Sequence, residues 1–365
     1  PSVRARSHGV SYKVHIHKTP VLNQNADPYI ILALDGGGVR GKASIAALKL
    51  IEKELGTNLV KALDCIAGVS TGGIIAAALS APKAGDPKSP RYTAEDVDDL
   101  YDRFAQQVFS SSIVHKISSL GGAIKAKYAS PREVMRGVIG DVLLKDSIAK
   151  KLLITSLDLI TGKLVYFESG SQEASQFLKT KKINCFSVSD DATIVDALEA
   201  TSAAPTYFPT KEYKEYNLTD GGVADNNPAQ LATLLAMNGE ARDRPILVLS
   251  IGTGKTKKES ITTTKSLGWG YLQWVEPLID YFLDSKEEQA DVEMNLLAAS
   301  DPRINYVRFQ MTLENDEEAQ MDNSSPENMK RLEELGTRCF QHFLDNGGRE
   351  RVIAPLKARL AGVLK

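Results

Sequence analysis

The sequence predicts a three-layer α/β sandwich, in which helices cover both faces of a central, mostly parallel sheet. Apolar runs of strand length occur at 29–34, 152–158 and 246–250. Each run is apolar enough for a strand that is covered on both faces of a sheet. Segments with helical periodicity separate these runs, and glycine-rich turns join strand to helix. Such alternation is typical of a parallel sheet.

The first unit passes from the strand at 29–34 through Asp35-Gly36-Gly37-Gly38-Val39-Arg40-Gly41 into a helix over 43–55. Gly36, Gly38 and Gly41 satisfy the G-x-G-x-x-G dinucleotide fingerprint. That fingerprint also requires an acidic residue about twenty positions on, at the end of the second strand. The second strand instead leads into Gly68-Val69-Ser70, which disfavours a nucleotide site.

Consecutive glycines at a helix N-terminus have a second use, because their backbone N–H groups can face a developing negative oxygen. We therefore expect an oxyanion hole at Gly36, Gly37 and Gly38, with the N–H groups of Gly37 and Gly38 as the donors. Arg40 follows directly, and the sequence leaves open whether its side chain holds this loop or a phosphate group.

The second unit contains the motif Gly68-Val69-Ser70-Thr71-Gly72 between a strand at 63–67 and a helix at 73–79. A serine on a sharp strand-to-helix turn has its hydroxyl exposed, and small flanking residues such as Gly68 and Gly72 let the chain turn without a clash. A plain glycine-rich turn could explain the five residues alone. The strand and helix around them favour a nucleophile elbow, with Ser70 as the nucleophile.

We expect Asp220 to be the base that serves Ser70. A short strand at 216–219 leads into Asp220-Gly221-Gly222, where the glycines leave the carboxylate uncovered. A plain turn is the alternative when this motif is considered alone. A histidine is the more usual base, but none follows a strand in a glycine-rich loop; the histidines are His8, His15, His17, His115 and His342.

Later elements continue the alternation of strands and helices. Thr93 with Asp96, and Thr193 with Asp196, have the spacing of residues that cap a helix start. A further strand is predicted at 164–167. These elements complete the predicted three-layer fold.

The three glycine motifs, in this order, resemble those of the patatin-like phospholipase family. Residues 200–209 resemble the family's segment ahead of the catalytic aspartate, and 249–254 resemble its late core strand and turn. The resemblance spans about residues 28–345. Gly222 stands where plant patatins often carry alanine, although the glycine form is also usual in the family. The resemblance implies a fold distantly related to the α/β hydrolases.

The resemblance also implies a function. We expect a lipid acyl hydrolase of the phospholipase A or lysophospholipase type, which uses a Ser70–Asp220 dyad, an acyl-enzyme and no metal or other cofactor. Calcium independence follows from that chemistry. Two alternatives remain open: an acyltransferase that uses the same acyl-enzyme, and a storage or lipid-binding protein without activity. The head group, acyl chain and sn position are not specified by the sequence.

Composition limits the partners and the location. The formal net charge is −2 and no basic stripe occurs, so we expect no nucleic acid partner. Three widely separated cysteines indicate neither a disulfide framework nor a metal site. No apolar run reaches the roughly 18–20 residues of a membrane span. We expect a cytoplasmic protein, with peripheral contact to a membrane or lipid aggregate as a further option; the oligomeric state stays open.

The predicted organisation is an N-terminal segment at 1–27, a catalytic core at 28–255, a helical part of the same domain at 256–345 and a C-terminal tail at 346–365. Residues 267–283 contain both tryptophans and several apolar residues at helical spacing. Core packing and a partly exposed wall of an acyl-binding cleft are both compatible with this pattern.

Overall fold

The computed structural model describes residues 2–7, 10–16, 27–109, 128–180, 186–188, 191–255 and 263–362. Within these residues, a sheet of eleven strands forms the centre, and two short strands form a separate hairpin. The strands are β1 (Ser2–Ser7), β2 (Val10–Ile16), β3 (Tyr29–Leu34), β4 (Cys65–Gly68), β5 (Pro82–Lys83), β6 (Asp86–Pro90), β7 (Leu152–Asp158), β8 (Lys163–Glu168), β9 (Phe186–Val188), β10 (Lys211–Tyr213), β11 (Tyr216–Asp220), β12 (Ile246–Ile251) and β13 (Ile304–Met311).

The middle of the large sheet consists of parallel strands in the order β13-β12-β3-β4-β7. β2 and β1 extend it antiparallel beyond β13. At the other end β11 pairs antiparallel with β7, β10 pairs with β11, and β8 pairs with β7 and β9. The separate hairpin is β5 with β6. The predicted α/β class with a mostly parallel central sheet is therefore confirmed.

The helices of the described chain surround this sheet. They are α1 (Gly41–Leu55), α2 (Thr71–Leu79), α3 (Ala94–Phe109), α4 (Arg132–Ile139), α5 (Glu173–Thr180), α6 (Ile194–Thr201), α7 (Ala229–Met237), α8 (Thr263–Leu267), α9 (Tyr271–Ser300), α10 (Asp316–Ala319), α11 (Pro326–Phe343) and α12 (Ala354–Leu360). A kinked helical stretch, Leu344–Ile353, joins α11 to α12.

Alternate residues of β3 show why both faces of the sheet are covered. Leu32 and Leu34 belong to an apolar core that also contains buried residues of α1, α2, α3 and α11. Ile31 and Ala33 belong to a second core with α7 and α9. Because successive side chains of a strand point to opposite faces, a strand that is apolar at every position requires a helix layer on each side.

Two local features bear on the sequence predictions. Thr193 and Asp196 form the expected capping box at the start of α6, each side chain accepting the other's backbone N–H. Near the C-terminus, Val352, Ile353 and Leu356 are buried in the first core. This apolar part of the C-terminal segment therefore packs against the domain.

Candidate active site

The sheet brings Ser70 and Asp220 together through β7. β8 occupies one edge of β7 along most of its length, so β4 and β11 share the other edge. β4 ends with Gly68 opposite Ile154, and β11 ends with Asp220 opposite Ser156. The two strands thus approach each other end to end. The turn after β4 and the last residue of β11 consequently lie side by side.

Ser70 lies on a strained turn between β4 and α2. Its backbone angles are φ 52° and ψ −123°, a region that costs free energy for a residue with a Cβ. The surroundings hold this conformation, because the Ser70 N–H donates a hydrogen bond of 2.8 Å to Thr201 Oγ1. The chain also passes close to β3: a Cβ at Gly72 would lie 2.2 Å from the carbonyl oxygen of Leu34. The strained conformation and the close packing on β3 are features that a nucleophile elbow requires.

Asp220 is 3% exposed and accepts a hydrogen bond of 2.8 Å from the backbone N–H of Gly222. The Ser70 hydroxyl lies near enough to this carboxyl to lower its pKa. Burial raises the pKa of the Asp220 carboxyl to about 6, although both of these groups lower it. Among the residues that the structure describes, no cation is paired with this carboxylate. Gly221 begins a single helical turn, Gly221–Val223, that carries the chain away from the site.

The glycine-rich turn after β3 presents N–H groups to the same place. Its carbonyl groups are held by the protein: Gly36 O accepts from Thr253 Oγ1 at 2.8 Å, and Gly38 O accepts from the Tyr101 hydroxyl at 2.6 Å. In the described part of the chain, neither the Gly37 nor the Gly38 N–H donates to a protein acceptor. Both glycines line the cleft above Ser70.

Arg40 and Gly41 support this turn from behind. The buried Arg40 side chain donates through Nε to the carbonyl oxygen of Gly37 at 3.1 Å. Gly41 begins α1 and packs against Thr71 and Tyr101. The Tyr101 hydroxyl also hydrogen-bonds Thr71 Oγ1 at 2.5 Å. One tyrosine therefore ties the glycine-rich turn to the first residue of α2, directly after Ser70.

A cleft opens over Ser70 and Asp220, with about 720 Å³ of empty space when the part open to solvent is included. Apart from these two residues and the glycines, its walls are largely apolar and include Ile74, Phe104, Val108, Phe208, Ile279 and Leu283. An ester carbonyl at Ser70 would face the free N–H groups, and a hydrocarbon chain would lie along the walls. The shape and chemistry therefore suit an acyl ester.

The tryptophan-containing segment contributes to this cleft through α9. Ile279 and Leu283 line the cleft, whereas Trp274, Tyr281 and Phe282 are 36%, 37% and 51% exposed. The segment is thus a cleft wall whose outer side presents aromatic groups. None of the helices described in the structure has the length and apolar character needed to cross a bilayer.

Two histidines, His15 and His342, are among the residues that the structure describes, and neither is part of this site. His15 lies on β2, and His342 lies on α11 and does not line the cleft. His8, His17 and His115 lie outside the described residues. Within the described chain, no cluster of three or more His, Cys, Asp or Glu residues could hold a metal ion.

Sequence reasoning missed several residues that hold the site. Tyr101 lies in the middle of α3, where a tyrosine at helical spacing gives no signal of its role. Thr201 and Thr253 lie within the stretches 200–209 and 249–254 that carried the family resemblance. Asn226, a further cleft residue, follows Asp220 by six positions. For these three residues, the family pattern was the only available signal.

Comparisons with known proteins show the family to which this chain belongs. The family described as "Patatin-like phospholipase" matches residues 32–233. "Patatin-like protein 2" from Arabidopsis thaliana is 31% identical, over 92% of this chain and 90% of that protein. "Probable inactive patatin-3-Kuras 1" from Solanum tuberosum is 26% identical, over 90% of each chain.

Among solved structures, VipD from Legionella pneumophila is 12% identical, and the match covers 94% of this chain and 70% of that chain with a TM-score of 0.37. A similarity at this level supports no inference about the site.

Proposed function

Since the chain belongs to the patatin-like phospholipase family, we propose that it is a lipid acyl hydrolase of the phospholipase A or lysophospholipase type. Family membership supports hydrolysis of lipids. The observation that carries the proposed mechanism is that Ser70, the buried Asp220 carboxylate and the glycines Gly37 and Gly38 line one cleft, with the Ser70 hydroxyl near enough to Asp220 to lower its pKa. In the described chain, the N–H groups of both glycines have no protein acceptor.

In the proposed acylation step, Asp220 accepts the proton of the Ser70 hydroxyl while Oγ attacks the ester carbonyl. The carbonyl oxygen becomes an oxyanion, which the N–H groups of Gly37 and Gly38 stabilise. The tetrahedral intermediate collapses as the C–O bond to the alcohol breaks and Asp220 returns the proton to the leaving oxygen. A water molecule repeats the sequence in reverse, releases the fatty acid and restores Ser70.

Burial makes Asp220 a better base than an ordinary aspartate. A carboxylate with a pKa near 3.9 accepts protons poorly at neutral pH. Burial raises the pKa of Asp220 to about 6, closer to the value that suits a base near neutral pH. The carboxylate still remains largely ionised at pH 7. This supports Asp220 as the sole base, without a histidine.

The cleft and α9 support an acyl lipid as substrate. The apolar walls suit a fatty-acyl chain, and the exposed Trp274 and Phe282 on α9 suit peripheral contact with a membrane or lipid aggregate. We propose that the enzyme takes its substrate from such a surface. Head group and sn position would be set by contacts made with the bound lipid.

Active-site labelling tests the proposed function most directly. A fluorophosphonate probe should label the wild-type protein and not Ser70→Ala, and a lipid panel should show release of fatty acid by the wild type alone. Absence of labelling would instead favour a non-catalytic lipid-binding protein, as the name of the Solanum tuberosum relative suggests for that protein. Products formed with and without an added lysolipid acceptor distinguish hydrolysis from acyl transfer.

A soluble chromogenic ester tests whether the chemistry needs a metal. The proposed electrophilic groups are backbone N–H groups, so EDTA should leave the turnover of this ester unchanged. A large loss that calcium restores would contradict the proposed dyad. Vesicle assays cannot replace this test, because calcium also alters the lipid surface.

A further inference from the structure

Asn226 is an unusual residue beside the proposed dyad. It is 1% exposed, yet neither Nδ2 nor Oδ1 of its side chain has a hydrogen-bond partner in the described chain. Buried polar side-chain atoms in folded proteins nearly always have a partner, so each exception requires an explanation. Asn226 also lines the cleft, which is where a partner from outside the protein would bind.

The position of the amide places it among the reacting groups. Its Oδ1 packs against two glycines of the site: a Cβ at Gly36 would lie 2.2 Å from this atom, and a Cβ at Gly222 would lie 2.7 Å from it. Gly36 belongs to the glycine-rich turn after β3, which we call the oxyanion turn, and Gly222 belongs to the turn that follows Asp220. The Gly36 Cβ position is also 3.2 Å from Ser70 Cβ. The amide is therefore close to Ser70, the oxyanion turn and the Asp220 turn at once.

We propose that the side-chain amide of Asn226, turned so that Nδ2 takes the position that Oδ1 has in the free protein, is a third donor to the reacting ester, and that it acts with the Gly37 and Gly38 N–H groups on the carbonyl oxygen. This proposal rests on the proposed function. The amide is unpartnered in the free protein and gains its acceptor when the ester binds. Its donation strengthens as negative charge develops on that oxygen, so it contributes mainly to the transition state.

Asn227 provides a matched comparison on the next position of the chain. It is also fully buried, and its Nδ2 also has no partner in the described residues. Its Oδ1, however, accepts from the Ser250 hydroxyl and from the Ala229 N–H, each at 3.2 Å, and Asn227 does not line the cleft. Asn227 is thus a structural residue of the same type and burial.

The test uses Asn226→Leu and Asn227→Leu, because leucine has nearly the shape of asparagine without its polar atoms. For Asn226→Leu we expect kcat on a soluble ester to fall about 100-fold with little change in KM, as for the loss of one oxyanion donor. The rate of fluorophosphonate labelling should fall similarly, while Tm stays the same or rises. Asn226→Ser keeps a donor and should retain more activity than Asn226→Ala.

Asn227→Leu should instead lower Tm and leave the kcat of the folded protein near that of the wild type. Wild-type kcat in Asn226→Leu, or a joint loss of Tm and activity like that expected for Asn227→Leu, would overturn the proposal. If the fluorophosphonate does not label the wild type, the proposed hydrolase function is wrong, and the role of Asn226 is wrong with it.

A separate observation concerns the length of the acyl chain. A second, smaller cavity lies between α2, α3, α4 and α6, with about 360 Å³ of empty space when the part open to solvent is included. Its lining includes Ala78, Leu100, Met135 and Val138. Ile74, Tyr101 and Phe104 line both this cavity and the main cleft. The two spaces are therefore neighbours on either side of these three side chains.

We infer that the second cavity receives the distal methylene groups of a long acyl chain whose ester group lies at Ser70. This inference also rests on the proposed function. Tyr101 is fixed by hydrogen bonds to Gly38 and Thr71, so Ile74 and Phe104 are the side chains that would move to admit the chain. The apolar lining supplies the affinity.

Ala78 offers the sharpest test, because it lines the second cavity and not the main cleft. Ala78→Leu should reduce kcat/KM for a hexadecanoyl ester at least about tenfold and leave a butanoyl ester unchanged. The butanoyl rate and Tm report correct folding. Leu100→Ala should shift the preference towards longer chains. Equal losses on both esters, or none, would overturn the inference, whereas a wild type inactive on both would overturn the proposed function.

Discussion

The chain contains two Asp-Gly-Gly turns that look alike in sequence and differ in electrostatics. Asp35 follows β3 and precedes Gly36-Gly37, and Asp220 ends β11 and precedes Gly221-Gly222. Both side chains are buried, at 1% and 3% exposure. Each turn also contributes to the site, because one carries the proposed oxyanion donors and the other carries the proposed base.

Asp35 has a cation and Asp220 has none. Arg308 on β13 reaches both carboxylate oxygens of Asp35, with an Nη1–Oδ1 distance of 2.9 Å, and its other amino group also pairs with Oδ2. Glu287 on α9 accepts from the same guanidinium at 2.8 Å. In the described chain, Asp220 has only hydrogen-bond donors, Ser70 and Gly222. Burial raises the pKa of both carboxyls, to about 7 for Asp35 and about 6 for Asp220, and Arg308 lowers only that of Asp35. Asp35 is therefore held in an ion-pair cluster, whereas Asp220 is held by hydrogen bonding alone.

One helix lies against both turns. Leu283 of α9 packs against Gly222, since a Cβ there would lie 2.8 Å from Leu283 Cδ2. One turn further along α9, Glu287 joins the ion pair of Arg308 and Asp35. The same helix thus excludes water from Asp220 and completes the charged cluster at Asp35.

The largest expected difference between the two turns is in catalysis. Asp220→Asn removes the proton acceptor and should lower kcat on a soluble ester by about 10⁴-fold or more, close to the effect of Ser70→Ala. The double variant should be no worse than either single variant, because the two residues act as one unit. Asp35→Asn should keep most of its activity per folded molecule.

Histidine variants are the control for this prediction. Replacing His115 or His342 should leave kcat unchanged. If a histidine variant lost activity while Asp220→Asn kept it, the Ser–Asp dyad would be wrong and a triad would be right.

The second expected difference is in stability. Arg308→Met leaves Asp35 buried without its paired cation, and leaves Glu287 with Lys255 as its remaining cationic partner at 3.4 Å, and should lower the free energy of unfolding by about 3–5 kcal/mol. Asp220→Asn should leave the free energy of unfolding at pH 8 unchanged or higher, because it removes a buried charge that has no cation. Urea denaturation measures both values.

Asp35→Asn combined with Arg308→Met should recover part of the lost stability, since it removes the carboxylate that Arg308→Met leaves without an ion pair. A neutral Arg308→Met would show that the cluster does not hold the oxyanion turn. The ion pair of Asp35 would then make no net contribution to stability, and the two aspartates would differ in their role in catalysis alone.

Much of this arrangement was predictable from local sequence. The strands at 29–34 and 152–158 and the turns at Gly36, Ser70 and Asp220 depend on neighbouring residues, so apolar runs and glycines predicted them. The fold class followed from the same alternation and is confirmed.

The electrostatic difference was not predictable in this way. Arg308 is 273 positions from Asp35, and an arginine in an apolar strand gives no indication of its partner. The orphaned amide of Asn226 is also a property of packing, since only the folded chain shows which polar atoms lack partners. The two Asp-Gly-Gly turns therefore looked equivalent until the distant residues were placed.

The pH dependence sharpens the comparison further. Asp220 acts as a base only when ionised, and burial raises its pKa to about 6. We therefore expect kcat/KM on a soluble ester to rise with pH and level off above a midpoint of about 6, which reports the free enzyme. Asp35→Asn should leave this midpoint unchanged, because Asp35 is not among the groups that shift the Asp220 pKa.

The effect on stability has the opposite sign. Because the pKa is raised in the folded protein, folding favours the protonated carboxyl, and the contribution of Asp220 to stability falls as pH rises from about 4 to about 6. Asp220→Asn should remove this part of the pH dependence. A midpoint near 4 for kcat/KM would contradict a desolvated base.

The smallest expected effect concerns the outer side of α9, which contacts neither aspartate. Trp274 packs edge to face on Trp269 with ring centroids 4.9 Å apart, and it is 36% exposed. Tryptophan favours the membrane interface. Trp274→Ala should weaken binding to phospholipid vesicles about tenfold, as expected for removal of a partly buried aromatic group. Turnover of a short soluble ester should be unchanged, since Leu283 and Glu287 still cover the two turns.

Leu296→Ala is the matched control, because Leu296 lies on the same helix, is 65% exposed and does not line the cleft. If lipid contact is confined to the mouth of the cleft, Trp274→Ala and Trp269→Ala should lose vesicle binding, and Leu296→Ala should keep it. Equal losses in Leu296→Ala would indicate general apolar adhesion along α9. Trp274→Ala could instead lose turnover of the soluble ester in proportion to its loss on vesicles. Membrane contact cannot affect a substrate that is already in solution. Such a result would therefore show that this tryptophan supports the α9 wall over Asp220.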